Sequence, residues 1–204
     1  MPEFLIAALA VLAAYLLGSV PFAVVCSRLF GIADPRSYGS QNPGAANVLR
    51  GGSKAAAAST LLGDSVKGWL AVFLAQMYGP NFGFSQGWIG LVALAVFFGH
   101  LFPIFLKFKG GKGVATGAGV LLGLSPLLGL IALGVWLAVA FTLRYASLAA
   151  MAAAAAASLT ALMFWGGGIS ALVVGIVAIA LIVRHWGNLQ RLMAGTEPKI
   201  GDKT

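Results

Sequence analysis

The chain has 204 residues, 60% of them hydrophobic and only 9% charged, with a mean hydropathy of +0.95. Soluble domains carry about 45–50% apolar and about 25% charged residues, so a water-exposed globule is excluded. The composition is that of an all-α integral membrane protein, a single membrane-embedded domain over 1–204. Thirteen Lys and Arg against five Asp and Glu leave a net charge of +8. These cations are sparse and sit between apolar runs, which suits lipid headgroups or small phosphorylated ligands and not nucleic acid. The single cysteine, Cys26, excludes an internal disulfide and a cysteine-built metal site.

A helix needs about 20 apolar residues to cross roughly 30 Å of hydrocarbon. Phe4 to Phe30 is the first such run; it lacks the basic leader of a secretory signal, and Val20-Pro21 predicts a kink within it. Lys54 to Tyr78 is the second run, ended by a turn at Gly79-Pro80-Asn81. Trp88 to Leu106 is the third. Val114 to Leu143 is overlong for one span, and Ser125-Pro126 predicts a break that divides it in two. Leu148 to Trp165, whose Ala149–Ala157 stretch suits close helix packing, and Ile169 to Val183 complete seven spans.

Charge placement agrees with that count. Every Lys and Arg except Lys67 lies at or beyond the end of a run, in the zones Arg28 to Lys54, Lys107 to Lys112, Arg144, and Arg184 to Lys203. Seven transmembrane helices with the N-terminus outside and the C-terminus cytoplasmic put all four zones on the cytoplasmic side, as the positive-inside rule asks. Six would leave Arg144 and the last zone outside.

Three polar segments then face one compartment. Gly39-Ser40-Gln41-Asn42-Pro43-Gly44-Ala45-Ala46-Asn47-Val48-Leu49-Arg50 combines glycines, amides, a hydroxyl and an arginine. Such a stretch can turn N–H groups and a guanidinium fork toward an anion; it fits equally a solvated loop with capping Ser and Asn. Lys109-Gly110-Gly111-Lys112-Gly113-Val114 follows the logic of a phosphate cradle, in which glycines admit a close approach, a helix N-terminus offers free N–H groups and a lysine adds charge. It is not a Walker A loop, because Gly113 follows Lys112 where Ser or Thr is needed. Lys107 and Lys109 alone would serve as a juxtamembrane anchor. In the third segment, Arg184-His185-Trp186-Gly187-Asn188-Leu189-Gln190-Arg191, a continuing helix would place Arg184, Asn188 and Arg191 on one face with His185 beside Asn188. Arg184 and Arg191 fit interfacial snorkelling as well as ligand binding.

Two ionisable residues fall inside the second run. Asp64 and Lys67, at i, i+3, are expected to pair as a structural unit, since an isolated charge at mid-bilayer costs about 2.5–3.5 kcal/mol or more. His100 has no clear partner in the sequence and is expected to pack or hydrogen-bond. Two histidines and five acids form no cluster with metal-ligand spacing, so no metal is expected.

Taken together, these segments resemble the bacterial acyl-phosphate:glycerol-3-phosphate acyltransferases, the PlsY family. The resemblance is carried by Gly18-Ser19-Val20-Pro21-Phe22, Gly39-Ser40 through Arg50, Asp64-Ser65-Val66-Lys67-Gly68, Gly99-His100 through Thr116, Arg144-Tyr145-Ala146-Ser147-Leu148, and Arg184-His185 through Lys199. It implies a cytoplasmic-face active site in the bacterial inner membrane. It also implies transfer of a fatty acyl group from acyl phosphate to the 1-hydroxyl of sn-glycerol 3-phosphate, giving lysophosphatidic acid and phosphate at the first step of phospholipid synthesis. By motif matching, Ser40, Arg50, Lys112, His185 and Asn188 take the catalytic positions. Asn42, Gly44, Asn47, Gly110, Gly111 and Gly113 take substrate-binding ones, and Glu197 matches a structural glutamate. Membrane lipids are the implied surroundings, no cofactor is implied, and the functional unit is expected to be a monomer. Ala46, where the family usually has threonine, and Trp186-Gly187, in place of a commoner polar pair, depart from the pattern.

The competing reading is a small transporter of an anion such as phosphate, suggested by Asp64/Lys67 and the kinked first helix. Against it, the polar residues gather on one side and no inverted repeat is present. A thioester-dependent acyltransferase is disfavoured because the His-x-x-x-x-Asp signature is missing: Phe105 follows His100 at that spacing and Gln190 follows His185.

Overall fold

The computed structural model describes residues 3–202. Lys203, which the sequence places in the last basic zone, and the outermost residues of the expected 1–204 domain lie outside the described residues. Ten α-helices account for most of the described residues. The first apolar run forms α1 (Glu3–Ser19) and α2 (Phe22–Leu29), bent by 45° at the expected Val20-Pro21 kink. Pro21 has no N–H to continue the ladder; at the break the Val20 carbonyl accepts instead from the Phe22 N–H at 3.1 Å and from Lys67 Nζ at 2.8 Å.

A polar loop leads into the short α3 (Ala45–Arg50), and α4 (Lys54–Tyr78) starts where Ser53 Oγ accepts the Ala56 N–H at 3.2 Å, a side-chain cap. A 3₁₀ turn at Gly79–Phe82 reverses the chain into α5 (Gln86–Leu101). Then come α6 (Val114–Leu124) and α7 (Pro126–Leu143), divided at the expected break. Ser125 Oγ there accepts the Leu128 N–H at 3.4 Å, with Pro126 at the first helical position. The chain ends with α8 (Ala146–Trp165), α9 (Ile169–Arg184) and α10 (Trp186–Met193), the last two bent by 58° at His185.

The seven-span expectation is not met. Among the described residues, three stretches are long and apolar enough to cross a membrane, Gln86–Leu106, Pro126–Leu143 and Ala146–Trp165; the number reaches five when each bent pair is taken as one span. Two of the expected spans fail for different physical reasons. Helix α4 is long, but Asp64, Ser65, Lys67 and its glycines dilute its middle. Helix α6 has 11 residues, about 16 Å at 1.5 Å per residue, half of what a crossing needs.

Packing shows why α6 is short. It runs alongside α4 in nearly backbone-to-backbone contact: a Cβ on Gly119 would overlap the Ser65 carbonyl, and one on Gly68 the Thr116 carbonyl. The first turn of α6 is thus level with Asp64–Gly68, about 15 Å along α4 from its start. The glycine segment before α6 is recessed into the bundle. The apolar core lies beside it, where Val72 of α4, Val96 and Phe97 of α5 and Val120 of α6 are fully buried. Ala149, Ala150 and Ala157 of α8 are buried as the sequence suggests, and Ala161 is buried as well, letting α7 and α9 approach closely.

Candidate active site

The glycine segment is held from two sides. From α5, the His100 carbonyl accepts the Gly111 N–H and the Leu101 carbonyl accepts the Gly110 N–H, each at 3.2 Å. From α9, Arg184 donates through Nη2 to the Gly110 carbonyl at 2.9 Å and through Nε to the Gly111 carbonyl at 3.3 Å. A Cβ on Gly110 would collide with the His100 carbonyl oxygen, and Gly113 adopts φ +85° against the Phe97 ring. Both positions therefore require glycine. Among the described residues, the N–H groups from Lys112 to Thr116 find no protein acceptor, whereas the Gly117 N–H closes the first helical bond to the Gly113 carbonyl at 2.7 Å. A run of free donors followed by a helix N-terminus is a ready-made anion site.

Lys112 projects from this loop and donates to Asn188 Oδ1 at 2.5 Å. Asn188 in turn donates to Glu197 Oε1 at 2.7 Å, which also accepts from Ser147 Oγ at 2.6 Å. Arg191 Nε meets Glu197 Oε2 at 2.8 Å. Glu197 therefore ties α8, α10 and the C-terminal tail to the lysine. Burial works to raise its pKa, but hydrogen bonds from Ser147, Asn188 and Arg191 outweigh that and hold the carboxyl below its ordinary value.

The Lys112 ammonium is shifted down, first by burial and then by Arg191, with Arg50 and Arg184 acting the same way and Glu197 opposing them. Cations from α3, the glycine loop, α9 and α10 thus bear on one small region. Such a concentration of positive charge favours an anionic ligand. His185 fills the bend between α9 and α10 at 3% exposure. Its Nδ1 lies 2.8 Å from the Leu181 carbonyl. A carbonyl only accepts, so Nδ1 carries the proton and Nε2 keeps a lone pair in the neutral ring.

The loop before α3 is organised by Asn47, which is 2% exposed. Its Oδ1 accepts the Ser40 N–H at 3.0 Å, and its Nδ2 donates to the carbonyls of Pro35 at 2.6 Å and Tyr38 at 3.2 Å. Its amide is therefore engaged within the loop. Ser40 and Arg50 are exposed, Asn42 is half-buried, and Gly44 precedes α3 in extended conformation. Pro43 of the same loop shares a cleft with Gly110 and Gly111, which brings the first polar segment over the second.

Of the sequence-derived candidates, Lys112 and Asn188 are in direct contact, and Gly110 and Gly111 share a cleft with Pro43 of the first loop; Ser40 is hydrogen-bonded to Asn47 within its own loop. The expected shared face of Arg184, Asn188 and Arg191 does not form, because the helix breaks at His185. Arg184 turns to the glycine loop, while Asn188 and Arg191 turn to Glu197. Sequence reasoning underrated Arg184, whose partners are backbone carbonyls and leave no mark in a sequence. It also left Ser147 without a part. Among the described residues, no three His, Cys, Asp or Glu side chains converge at metal-ligand spacing.

A multi-pass helical membrane protein with a recessed glycine loop and a lysine held beside it is the class these features define. Residues 8–195 match the family model described as Glycerol-3-phosphate acyltransferase. The glycerol-3-phosphate acyltransferase of Dechloromonas aromatica (strain RCB) is 63% identical over 96% of this chain and 97% of its own length. That of Laribacter hongkongensis (strain HLHK9) is 57% identical over 93% and 94%. Among solved structures, PlsY (YgiH), an integral membrane glycerol 3-phosphate acyltransferase, superposes with a TM-score of 0.89 in its glycerol 3-phosphate form, at 35% identity and covering 96% of both chains. Its lysophosphatidic acid form gives 0.87 at 34% identity, covering 96% and 95%. The chain belongs to the glycerol-3-phosphate acyltransferase family.

Proposed function

We propose that the single 1–204 domain carries one active site, at the cytoplasmic face of the bacterial inner membrane, built from Ser40, Arg50, Lys112, His185 and Asn188. The reaction is that of the family: an acyl group passes from acyl phosphate to glycerol 3-phosphate and yields lysophosphatidic acid. The observation that supports the site assignment best is the contact of Lys112 with Asn188, held in turn by Glu197, beside a loop with free N–H groups. The gathering of Lys and Arg at this end of the bundle supports the cytoplasmic side.

Acyl phosphate is a mixed anhydride with a good leaving group, so no acyl-enzyme is required. The protein's task is to hold two mutually repelling phosphates close and aligned, by proximity and electrostatics. The Gly110–Gly113 loop and the Ser40–Asn47 loop, with Asn42 and Gly44, grip the acyl phosphate. Arg50, Lys112, His185 and Asn188 bind glycerol 3-phosphate, with Ser40 near the reacting carbonyl. The 1-hydroxyl attacks that carbonyl, the carbon–phosphate oxygen bond breaks, and inorganic phosphate leaves. Two acceptors are available for the hydroxyl proton, His185 Nε2 and the departing phosphate itself. The functional unit is a monomer.

Purified protein given acyl phosphate and glycerol 3-phosphate without metal is expected to release phosphate and lysophosphatidic acid. Equal activity with an acyl thioester would overturn the donor assignment. A single cysteine placed at Ser40 in a Cys26→Ala background is expected to react with an impermeant thiol reagent in inside-out vesicles. Reaction in right-side-out vesicles alone would overturn the sidedness.

A further inference from the structure

A second ionisable cluster lies directly beneath the glycine loop, lining the same cleft as Pro43, Gly110 and Gly111. Asp64 and Lys67 of α4 and His100 of α5 are 3%, 2% and 8% exposed. The Asp64 carboxylate pairs with Lys67 Nζ at 2.7 Å and lies 3.4 Å from His100 Nδ1. Lys67 also donates to the Val20 carbonyl at the α1–α2 break. The lysine and its aspartate are thus fixed to a third helix. The expected structural pair is therefore part of a trio, and His100, which showed no partner in the sequence, has one in Asp64.

The trio is connected to the loop through His100. With Nδ1 turned to Asp64, the opposite edge of the ring faces the loop, so closely that a Cβ on Gly111 would overlap Nε2. The His100 carbonyl meanwhile takes the Gly111 N–H. Arg184 fixes the Gly110 and Gly111 carbonyls from the other side. The two peptides are therefore sandwiched, and the first loop N–H free to meet an anion is that of Lys112, one residue beyond the His100 ring.

We infer that Asp64 and Lys67 orient His100 as a rigid floor that sets the height and direction of the free N–H groups from Lys112 onward. Asp64, Lys67 and His100 are then positioning residues for the acyl phosphate, acting through the Gly110–Gly111 peptides and not by contact with substrate. This inference rests on the reading of the glycine loop as the acyl-phosphate grip. A buried ion pair also has a desolvation cost that a purely apolar contact would avoid, and a locating function gives it a purpose beyond satisfying Val20.

The test uses His100→Asn, which keeps a donor where Nδ1 faces Asp64 but withdraws the ring from Gly111, and Gly111→Ala, which presses a methyl group on the ring and leaves Asp64–Lys67 intact. Both are compared with wild type for thermal stability in detergent and for KM of each substrate. The expected result, for whichever variants are recovered folded, is a KM for acyl phosphate raised at least ~10-fold, with the KM for glycerol 3-phosphate within about twofold, as for a misplaced positioning contact. A merely structural trio would let folded His100→Asn keep wild-type kinetics, and that result, or unchanged kinetics in Gly111→Ala, overturns the inference. Failure of both variants to fold would also overturn it, because the cluster would then be required for folding as such. Gly113→Ala run in parallel separates the two levels, because a side chain is strained at φ +85° and disturbs the free N–H groups directly. If folded Gly113→Ala leaves the KM for acyl phosphate intact, the loop is not the grip; if Gly113→Ala is impaired and His100→Asn is not, only the positioning function is lost.

Discussion

The Lys112 ammonium donates to the Asn188 side-chain oxygen at 2.5 Å, joining residues 76 positions apart. Asn188 is itself held by Glu197, so the lysine that guards the glycine loop is aimed by a hydrogen-bond chain running into the C-terminal tail. Few contacts within the fold tie its polar segments so directly, and most consequences of the proposed site can be tested along this chain.

Lys112 makes the site pH-dependent on the alkaline side. Burial and the neighbouring Arg191, Arg50 and Arg184 lower its pKa, so the free enzyme loses this charge before an ordinary lysine would. The KM for glycerol 3-phosphate is expected to rise as pH climbs toward 10, with kcat at saturation less affected because bound phosphate favours the ammonium. Lys112→Arg, which does not deprotonate, is expected to remove the rise. A pH series of KM for both proteins checks this.

Glu197 is expected to act on stability. Its folded pKa lies below its unfolded one, so it stabilises the fold above the unfolded carboxyl pKa, near 4.5, and that contribution is lost as pH falls through the folded value. Glu197→Gln leaves a single acceptor oxygen for Asn188, Ser147 and Arg191, at an expected cost of about 1–3 kcal/mol at pH 7. The gap to wild type is expected to close in acid, and thermal unfolding in detergent at several pH values measures it.

His185 offers a choice between two functions that kinetics can divide. His185→Gln keeps a polar side chain of similar reach without a basic nitrogen. A defect confined to the KM for glycerol 3-phosphate marks a binding residue. A fall of about 100-fold or more in kcat at saturating substrate, within the range of general-base contributions, marks the proton acceptor.

Gly110→Ala is expected to be among the most damaging small substitutions. The added methyl would meet the His100 and Leu101 carbonyl oxygens and Pro103, and backbone there cannot yield as a flexible side chain would. Displacement of the loop by about 1 Å is worth on the order of 100-fold in rate. Measuring kcat/KM on folded protein checks it, and wild-type values would show that the loop tolerates the shift.

How much of this was legible in the sequence follows from what kind of atom each feature depends on. Val20-Pro21 and Ser125-Pro126 announce their breaks because proline lacks an N–H, and the structure breaks at both. The glycines around Lys112 were legible as points of close approach, and Gly110 and Gly113 have no room for a Cβ. The span count failed where a local rule met tertiary packing: α4 buries Asp64 and Lys67 inside the bundle, and α6 is short because the loop before it starts deep beside α4. His100 was opaque because its partner lies 36 positions away on another helix, and Arg184 because it binds carbonyl oxygens, which every residue possesses. Asn47 looked like a ligand residue, yet its amide is engaged by Ser40, Pro35 and Tyr38, since a loop's internal hydrogen bonds and its ligand contacts call for the same residue types.

The convergence of the polar segments on one phosphate-binding pocket is tested most directly by turnover of Lys112→Ala. With acyl phosphate and glycerol 3-phosphate at wild-type saturating concentrations, and with the variant shown to be folded, release of phosphate and lysophosphatidic acid is expected to fall at least ~100-fold, the scale of removing one preorganised electrostatic contact. Full activity of folded Lys112→Ala would contradict it.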